Sequence, residues 1–481
     1  MNYGIVAKVL GSILIIDSVL MLPPLIMAYV LKEDSFFPFL TAVIATLLLG
    51  FVLSRIKTTR KEIKAKEGLA IVTYGWILVS LLGALPFYLS GSVPSFIDAV
   101  FETISGFTTT GASIINNVEI LPRSILFWRS FTHWIGGMGI LVFSVALLPA
   151  LGMGSFHIFK AESPGPVTGK VAPRIKDTAR ALYISYISLT LLQIIFLLFG
   201  GLSLFDASVY TFGTVGTGGF GVYNDSVGGF STYVHIVISI FMILAGVSFS
   251  LHFFLYTKRF REIVTDNELK MYLRFIVASI ILITVNLTMT QYNSLFYAAR
   301  DALFQVSTII TTTGYSTVDF DLWPTFSKTI LLVLMFIGGC AGSTAGGMKV
   351  IRVLMLFKLI KREISKIFHP RAFAPVKLGK KTVSNEVVAR INSFMALHVI
   401  IFIIGSLLIS LEGIDMLSAV SSVAATLNNI GPGFELVGPT KNYSEFSQAS
   451  KLLFSFLMLL GRLELFTIIA LLVPHRWTKE S

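Results

Sequence analysis

Apolar residues recur in windows long enough to cross a bilayer, which takes about 20 residues. They run from Ile5 to Leu31, Phe36 to Leu53, Leu69 to Leu89 and onward to Leu453 to Val473. Each window predicts a helix, because a chain in lipid must satisfy its own backbone hydrogen bonds. Cationic clusters divide the windows into pairs: Arg55, Lys57, Arg60, Lys61, Lys64 and Lys66; Lys160 to Arg180; Lys258 to Arg274; Lys349 to Arg390. With every cluster cytoplasmic by the positive-inside rule, each intervening stretch must leave and return. Each stretch therefore holds two crossing helices.

Between the paired windows lie segments too polar and glycine-rich to cross, and they resemble one another. They are Asp98-Ala99 to Gly111, Asp206-Ala207 to Gly219, Asp301-Ala302 to Gly314 and Ser418-Ala419 to Gly431. The last glycine follows the Asp/Ser-Ala pair by 13 positions in all four. With Asp98, Asp206, Asp301 and Ser418 as N-caps, each segment reads as a short helix followed by a loop. Entering from outside, such a helix aims its negative C-terminal end toward the membrane interior, where it attracts cations.

Non-helical backbone at membrane depth is tolerated where it is buried in protein or lines water. Four such loops around one axis would offer carbonyl oxygens that replace a cation's hydration shell. The candidate ion-binding positions are Thr108, Thr109, Thr110 and Gly111; Gly216, Thr217, Gly218 and Gly219; Thr311, Thr312, Thr313 and Gly314; and Asn428, Asn429, Ile430 and Gly431. Close helix packing through small residues would also use glycines. It does not require threonines and asparagines beside them at matched offsets.

The expected fold is an all-α polytopic membrane protein of ten transmembrane helices, with four re-entrant pore loops in a pseudo-fourfold repeat around one pore. Residues 1–66 form an accessory helix pair, joined by a short loop holding Lys32, Glu33 and Asp34. The repeats are 67–160, 161–265, 266–385 and 386–481, the third with the only broken inner helix. Both termini are cytoplasmic, in agreement with Arg476 and Lys479. The first window is long, contains Pro23-Pro24 and lacks a small-x-small cleavage site, so it predicts a retained helix.

Composition agrees: hydrophobic residues make up 54% of the 481 positions and charged residues 13%, against roughly 25% charged in a soluble domain. The net charge of +12 sits in clusters between apolar windows and not along one face, so it reports topology and not nucleic-acid binding. A single cysteine, Cys340, excludes an internal disulfide and a cysteine-based zinc cluster. His133, His235 and His252 lack metal spacing and read as hydrogen-bonded core residues. With no Ser/His/acid spacing or metal motif, the chain is not an enzyme and carries no organic cofactor.

The four segments, together with His133-Trp134-Ile135-Gly136-Gly137-Met138-Gly139, the run Gly338 to Lys349 and Gly461-Arg462-Leu463-Glu464, resemble the Trk/Ktr/HKT superfamily of K⁺ transporters. The two extra N-terminal helices favour its TrkH branch. The resemblance implies K⁺ as the transported ion, held at the filter residues. In plant members that carry Na⁺, the first loop commonly has Ser where this chain has Gly111. It further implies a homodimer in a bacterial cytoplasmic (inner) membrane and a cytosolic, nucleotide-binding TrkA-type regulatory ring. No nucleotide fingerprint occurs in this chain, so such control must come from a partner.

Gly338, Gly339, Gly342, Gly346 and Gly347, with Ser343 and Thr344, interrupt the third inner helix, where helical bonding should fail. The break reads either as a gate or as a kink tolerated by its neighbours. The resemblance makes it the intramembrane gating loop, with Lys349 at its cytoplasmic end. Arg462 lies inside an apolar run, and an intramembrane charge is a functional candidate. It is either half of an ion pair across helices or, as the resemblance implies, a border of the pore that opposes flow or holds a gate's carbonyls. The basic stretch Arg352 to Lys381, with Pro370 and Pro375, is an ordinary loop or a docking surface.

The expected function is K⁺ uptake through a gated, channel-like pore. The alternative is an H⁺- or Na⁺-coupled secondary transporter (symport) with alternating access, which also uses broken helices but usually in inverted repeats. Here every repeat begins and ends on one side.

Overall fold

The structure is a computed structural model that describes residues 1–58, 63–139, 175–369, 375–378 and 381–472. Arg60, Lys61, Lys160 and the rest of 140–174, Pro370, Lys380, Arg476 and Lys479 lie outside the described residues, as does the expected boundary at 160/161. Apart from one short hairpin, Lys377–Leu378 with Lys381–Thr382, the described regular structure is helical.

The chain starts with α1 (Tyr3–Leu20), capped by the Asn2 side chain on the Ile5 N–H, and α2 (Leu22–Leu31). Pro23 and Pro24 lack the N–H groups that would continue one helix into the other. α3 (Phe36–Ser54) returns along α1, and the two cross so closely at Gly11 and Gly50 that an added Cβ at either would lie within 3.0 Å of the other's backbone. Glycine serves helix packing here. The connecting Glu33 carboxylate accepts the N–H groups of Arg123 (2.9 Å) and Ser124 (3.1 Å), which docks this pair onto the first repeat unit.

Four units follow, each with a long apolar helix, a short helix ending in a loop, and a returning helix. The first has α4 (Ala65–Gly83) with α5 (Leu85–Leu89), α6 (Phe96–Phe107) and α7 (Arg123–Gly137). The second has α8 (Ile175–Phe199), α9 (Leu204–Gly216), α10 (Thr232–Ala245) with α11 (Phe249–Tyr256), and the connector α12 (Phe260–Thr265). The third has α13 (Asn267–Thr290), α14 (Leu295–Ile310), α15 (Thr325–Ile337) and α16 (Val350–Phe368). The fourth has α17 (Asn385–Ser410), α18 (Met416–Leu427), α19 (Gln448–Arg462) and α20 (Leu465–Leu472).

Among the described residues, six helices are long and apolar enough to cross a membrane, or eight if α10–α11 and α19–α20 each form one bent span. These bends measure 97° and 115°. The third returning helix is therefore not the only broken one, contrary to the sequence reading. The second breaks at Gly246-Val247-Ser248 and the fourth at Leu463-Glu464, where Glu464 has φ +58°. Neither break carries a glycine run.

The expected N-caps also require correction. The N-cap positions of α6, α9, α14 and α18 are Ser95, Ser203, Ser294 and Asp415, of which only Ser203 and Asp415 cap with their side chains, so the helices begin three to seven residues before the expected positions. In α9 and α18 the true cap accepts the N–H of the residue expected to do the capping: Ser203 from Asp206 and Asp415 from Ser418. Asp98 instead pairs with Lys451 of the fourth unit at 3.0 Å, and buried Asp301 meets Arg300 (2.8 Å) and the Tyr292 hydroxyl (2.9 Å).

Candidate ion pathway

The four glycine-bearing loops follow the same backbone course. Their second residues, Thr109, Thr217, Thr312 and Asn429, have φ of +55° to +58°, and the glycines two positions on have φ of +79° to +95°. The left-handed second residue closes each helix with a paired motif. Its own N–H returns three residues and the next N–H five: Thr109 to Gly106 and Thr110 to Ser105, Thr217 to Thr214 and Gly218 to Gly213, Thr312 to Ile309 and Thr313 to Thr308, Asn429 to Thr426 and Ile430 to Ala425. Left-handed threonine is unusual for a β-branched residue, and three of them at one site mark a backbone held in place by its surroundings.

The loops form a closed ring. An added Cβ would lie within 3.0 Å of the Gly218 carbonyl oxygen at Gly111, of Thr313 O at Gly219, of Ile430 O at Gly314 and of Thr110 O at Gly431. Each unit's glycine thus abuts the third-position carbonyl of the next, and the fourth abuts the first. Threonine hydroxyls stay within the scaffold: Thr108 meets Thr110 and Thr311 meets Thr313, both at 2.8 Å. Asn429 Nδ2 donates to Thr110 Oγ1 (3.0 Å) and Met458 O (2.9 Å). Asn428 differs from its counterparts, because its carbonyl accepts the Gly347 N–H at 3.0 Å.

Behind the ring, each short helix braces the strand leaving its own glycine, three residues on. Glu102 accepts from the Ile114 N–H (3.0 Å), Tyr210 from Val222 (3.4 Å) and Ser421 from Phe434 (3.0 Å), while Gln305 Nε2 donates to Thr317 Oγ1 (3.4 Å). Glu102 is fully buried and pairs at 2.6 Å with Arg129, whose guanidinium also donates to Gly221 O of the second unit and covers the Phe220 ring. His133 joins the same seam. Its Nδ1 lies 2.7 Å from Gly106 O and its Nε2 accepts the Phe220 N–H at 3.2 Å, which requires the neutral ring with its proton on Nδ1. His235 and His252 likewise contact backbone carbonyls, Val227 and Leu244. No group of three His, Cys, Asp or Glu positioned for a metal occurs among the described residues.

Removing one partner of a buried pair costs about 3–5 kcal/mol. R129M is therefore expected to lower the melting temperature of the purified protein, read by tryptophan fluorescence, and the double variant E102L/R129M to recover part of the loss. An unchanged melt in R129M would contradict this role.

Below the ring, the chain from Gly338 to Lys349 crosses between α15 and α16, bonds to the second, third and fourth units, and is linked to the first through Arg462. Gly346 N–H donates to Thr312 Oγ1 (2.7 Å) in the third and Gly347 N–H to Asn428 O in the fourth. Thr344 Oγ1 donates to Val215 O (3.0 Å) in the second. The Thr344 carbonyl accepts from Arg462 (2.8 Å), which also reaches Thr109 Oγ1 (3.3 Å) and the carbonyls of Gly136 and Gly137 in the first. Gly338, Gly342 and Gly347 hold positive φ, and Gly339 packs on Ala345. Buried Lys349 donates back to Ala345 O, within the loop.

Two cavities flank the ring. The one above the ring, on the side away from the interrupting loop, is lined by Gly111, Gly219, Gly314 and Gly431 with Asn116, Asn224, Ser226 and Ser316. The one below it is bounded by Asn429, Gly461, Arg462 and the stretch from Gly342 to Gly347. The expected candidates thus meet in one place, four segments above and the interrupting loop with Arg462 below.

The TrkH family model, described as cation transport protein, matches residues 36–476. The chain belongs to the TrkH family. Trk system potassium uptake protein TrkH of Halomonas elongata is 36% identical over 100% of both chains, and its namesake in Escherichia coli K12 is 37% identical over 99% of this chain and 100% of its own. The crystal structure of the potassium transporter TrkH from Vibrio parahaemolyticus superimposes with a TM-score of 0.89 at 35% identity, over 99% of this chain and 100% of that one. As a TrkH family member, the chain is a membrane transport protein and not an enzyme. Glu102 and Arg129 were missed by sequence reasoning, although each is an isolated charge in an apolar stretch, the signal that drew attention to Arg462.

Proposed function

We propose that this protein carries K⁺ across a bacterial cytoplasmic membrane, through a pore whose filter is the four-loop ring and whose gate is the loop from Gly338 to Lys349. The closed ring carries the reading: four glycines, each against its neighbour's carbonyl, put backbone oxygens from four units around one opening. Dehydrated K⁺ passes this opening, held by carbonyls from Thr108 to Gly111, Gly216 to Gly219 and Thr311 to Gly314 and by the fourth-unit oxygens that remain after Asn428 engages the loop.

Support for the gate comes from its course beneath all four segments, stapled by Arg462. Ten crossings follow if α7 and α15 join the eight long or bent spans. The four parallel units then span 67–160, 161–265, 266–385 and 386–481, with both termini on the cytoplasmic side. Influx follows the membrane potential, which supplies about 2.3 kcal/mol per charge at 100 mV. The relatives' designation as parts of a Trk system fits regulation by cytosolic nucleotide-binding subunits acting on a homodimer.

⁸⁶Rb⁺ uptake into proteoliposomes of the purified protein tests the reading. Excess external K⁺ is expected to suppress uptake, and equal Na⁺ to leave most of it. Equal suppression by both ions would overturn K⁺ as the cargo.

A further inference from the structure

Glu268 looks like an ordinary first-turn carboxylate of α13, whose N-cap, Asp266, accepts the Leu269 N–H at 2.7 Å. Its Oε1 nevertheless bonds a different part of the chain, the N–H groups of Ala341 (2.6 Å) and Ile351 (3.0 Å). These two residues bracket the stretch from Gly342 to Lys349, so one carboxylate oxygen ties both ends of the interrupting loop to one point on α13.

The second bond meets a specific need of α16. Lys349, the residue before that helix, sits at φ +74° and makes no side-chain cap. The neighbouring N–H groups find partners in α15 or in the loop itself, Met348 on Phe336 O, Val350 on Gly339 O and Arg352 on Lys349 O. Ile351 takes Glu268 instead. A carboxylate at a helix N-terminus is favoured by the helix dipole, and a bond to a charged acceptor is stronger than a neutral one. The loop is tied to the second unit separately, by the backbone bonds Cys340 N–H to Gly246 O and Phe249 N–H to Gly342 O, both 2.9 Å, and by Thr344 Oγ1 to Val215 O.

We propose that Glu268 is a positioning residue that latches the gate loop across the pore, and that releasing it raises ion flux without altering ion preference. This rests on the reading of the loop as the gate. Glu268 directly follows the exposed elbow from Thr257 to Asp266, which bears Lys258, Arg259 and Arg261. A force applied to this elbow from the cytosol therefore reaches the loop on one side through Glu268, and on the other through α11 and its Phe249 N–H to Gly342 O bond.

The test uses purified protein in proteoliposomes with no partner. It reads ⁸⁶Rb⁺ influx and the rate at which N-ethylmaleimide labels Cys340, the chain's single cysteine, which is buried in the loop. E268A is expected to raise both by about tenfold, the equivalent of one charge-assisted hydrogen bond. E268Q keeps an acceptor oxygen and loses the charge; it is expected to raise both less, and it carries the test if E268A does not fold. The K⁺ over Na⁺ preference stays unchanged in either. Deleting residues 341–346 separates the two claims. If the deletion raises influx while E268A leaves influx and labelling at the wild-type level, the latch is overturned and the gate stands. If the deletion leaves influx unchanged, the gate reading falls and the latch with it.

Discussion

Alanine at Gly111 or Gly314 is expected to cut ⁸⁶Rb⁺ uptake by at least about tenfold, a loss equivalent to about 1.4 kcal/mol, while the protein still reaches the membrane. Both positions combine two constraints. Their φ values, +79° and +90°, lie in the left-handed region, where a side chain is strained by about 1–2 kcal/mol. The new methyl group would also fall within 3.0 Å of the next unit's carbonyl oxygen, Gly218 for Gly111 and Ile430 for Gly314. Something must shift, and the nearest movable atoms are the carbonyls proposed to replace the ion's water. Alanine at Gly413, which has φ +74° but nothing within 4 Å, provides the control. It carries the strain without the collision, so its uptake is expected to remain near wild type. Equal uptake in G111A, G314A and G413A would contradict the ring as the conducting element.

R462M is expected to act in the opposite direction and raise uptake in the absence of any regulatory partner by about tenfold or more. Arg462 reaches Thr109 in the ring and Thr344 in the loop, so its charge stands directly under the opening. A unit charge about 8 Å from a passing ion opposes it by about 2 kcal/mol at an effective dielectric of 20. Removing the guanidinium also frees the loop carbonyl that it holds. R462K separates these effects, because lysine keeps the charge but not the planar fork that spans several carbonyls. If charge is the barrier, R462K stays near wild type and R462M rises. If stapling dominates, both rise. Uptake at the wild-type level in both, with both proteins folded, would remove Arg462 from the control of flow.

The repeat was legible because its register is rigid: a left-handed residue followed by a glycine two positions on must recur at one spacing, and the offset of 13 recorded it. Helix starts were less legible. Ser203-Leu204-Phe205-Asp206 and Asp415-Met416-Leu417-Ser418 each hold two good capping residues one turn apart, and the sequence does not say which one turns the chain. The bends after Ala245 and Arg462 escaped because tertiary bonds supply what a glycine run would announce. At the second bend, Glu464 turns with positive φ and pairs with Arg352 of the third unit. The cyclic order of the ring and the Glu102–Arg129 brace join distant residues, as does Glu268, whose partners lie 73 and 83 positions away. Each such residue was visible as a charge near an apolar run, but its partner was not.

The most direct test of the central claim is single-channel recording of the purified protein in a planar bilayer, with KCl on both sides at unequal concentrations. Four loops closing one pore predict stepwise unitary currents that reverse near the K⁺ equilibrium potential and disappear in G314A. K⁺ flux without resolvable steps, or steps with the same reversal potential and size in G314A, would contradict it.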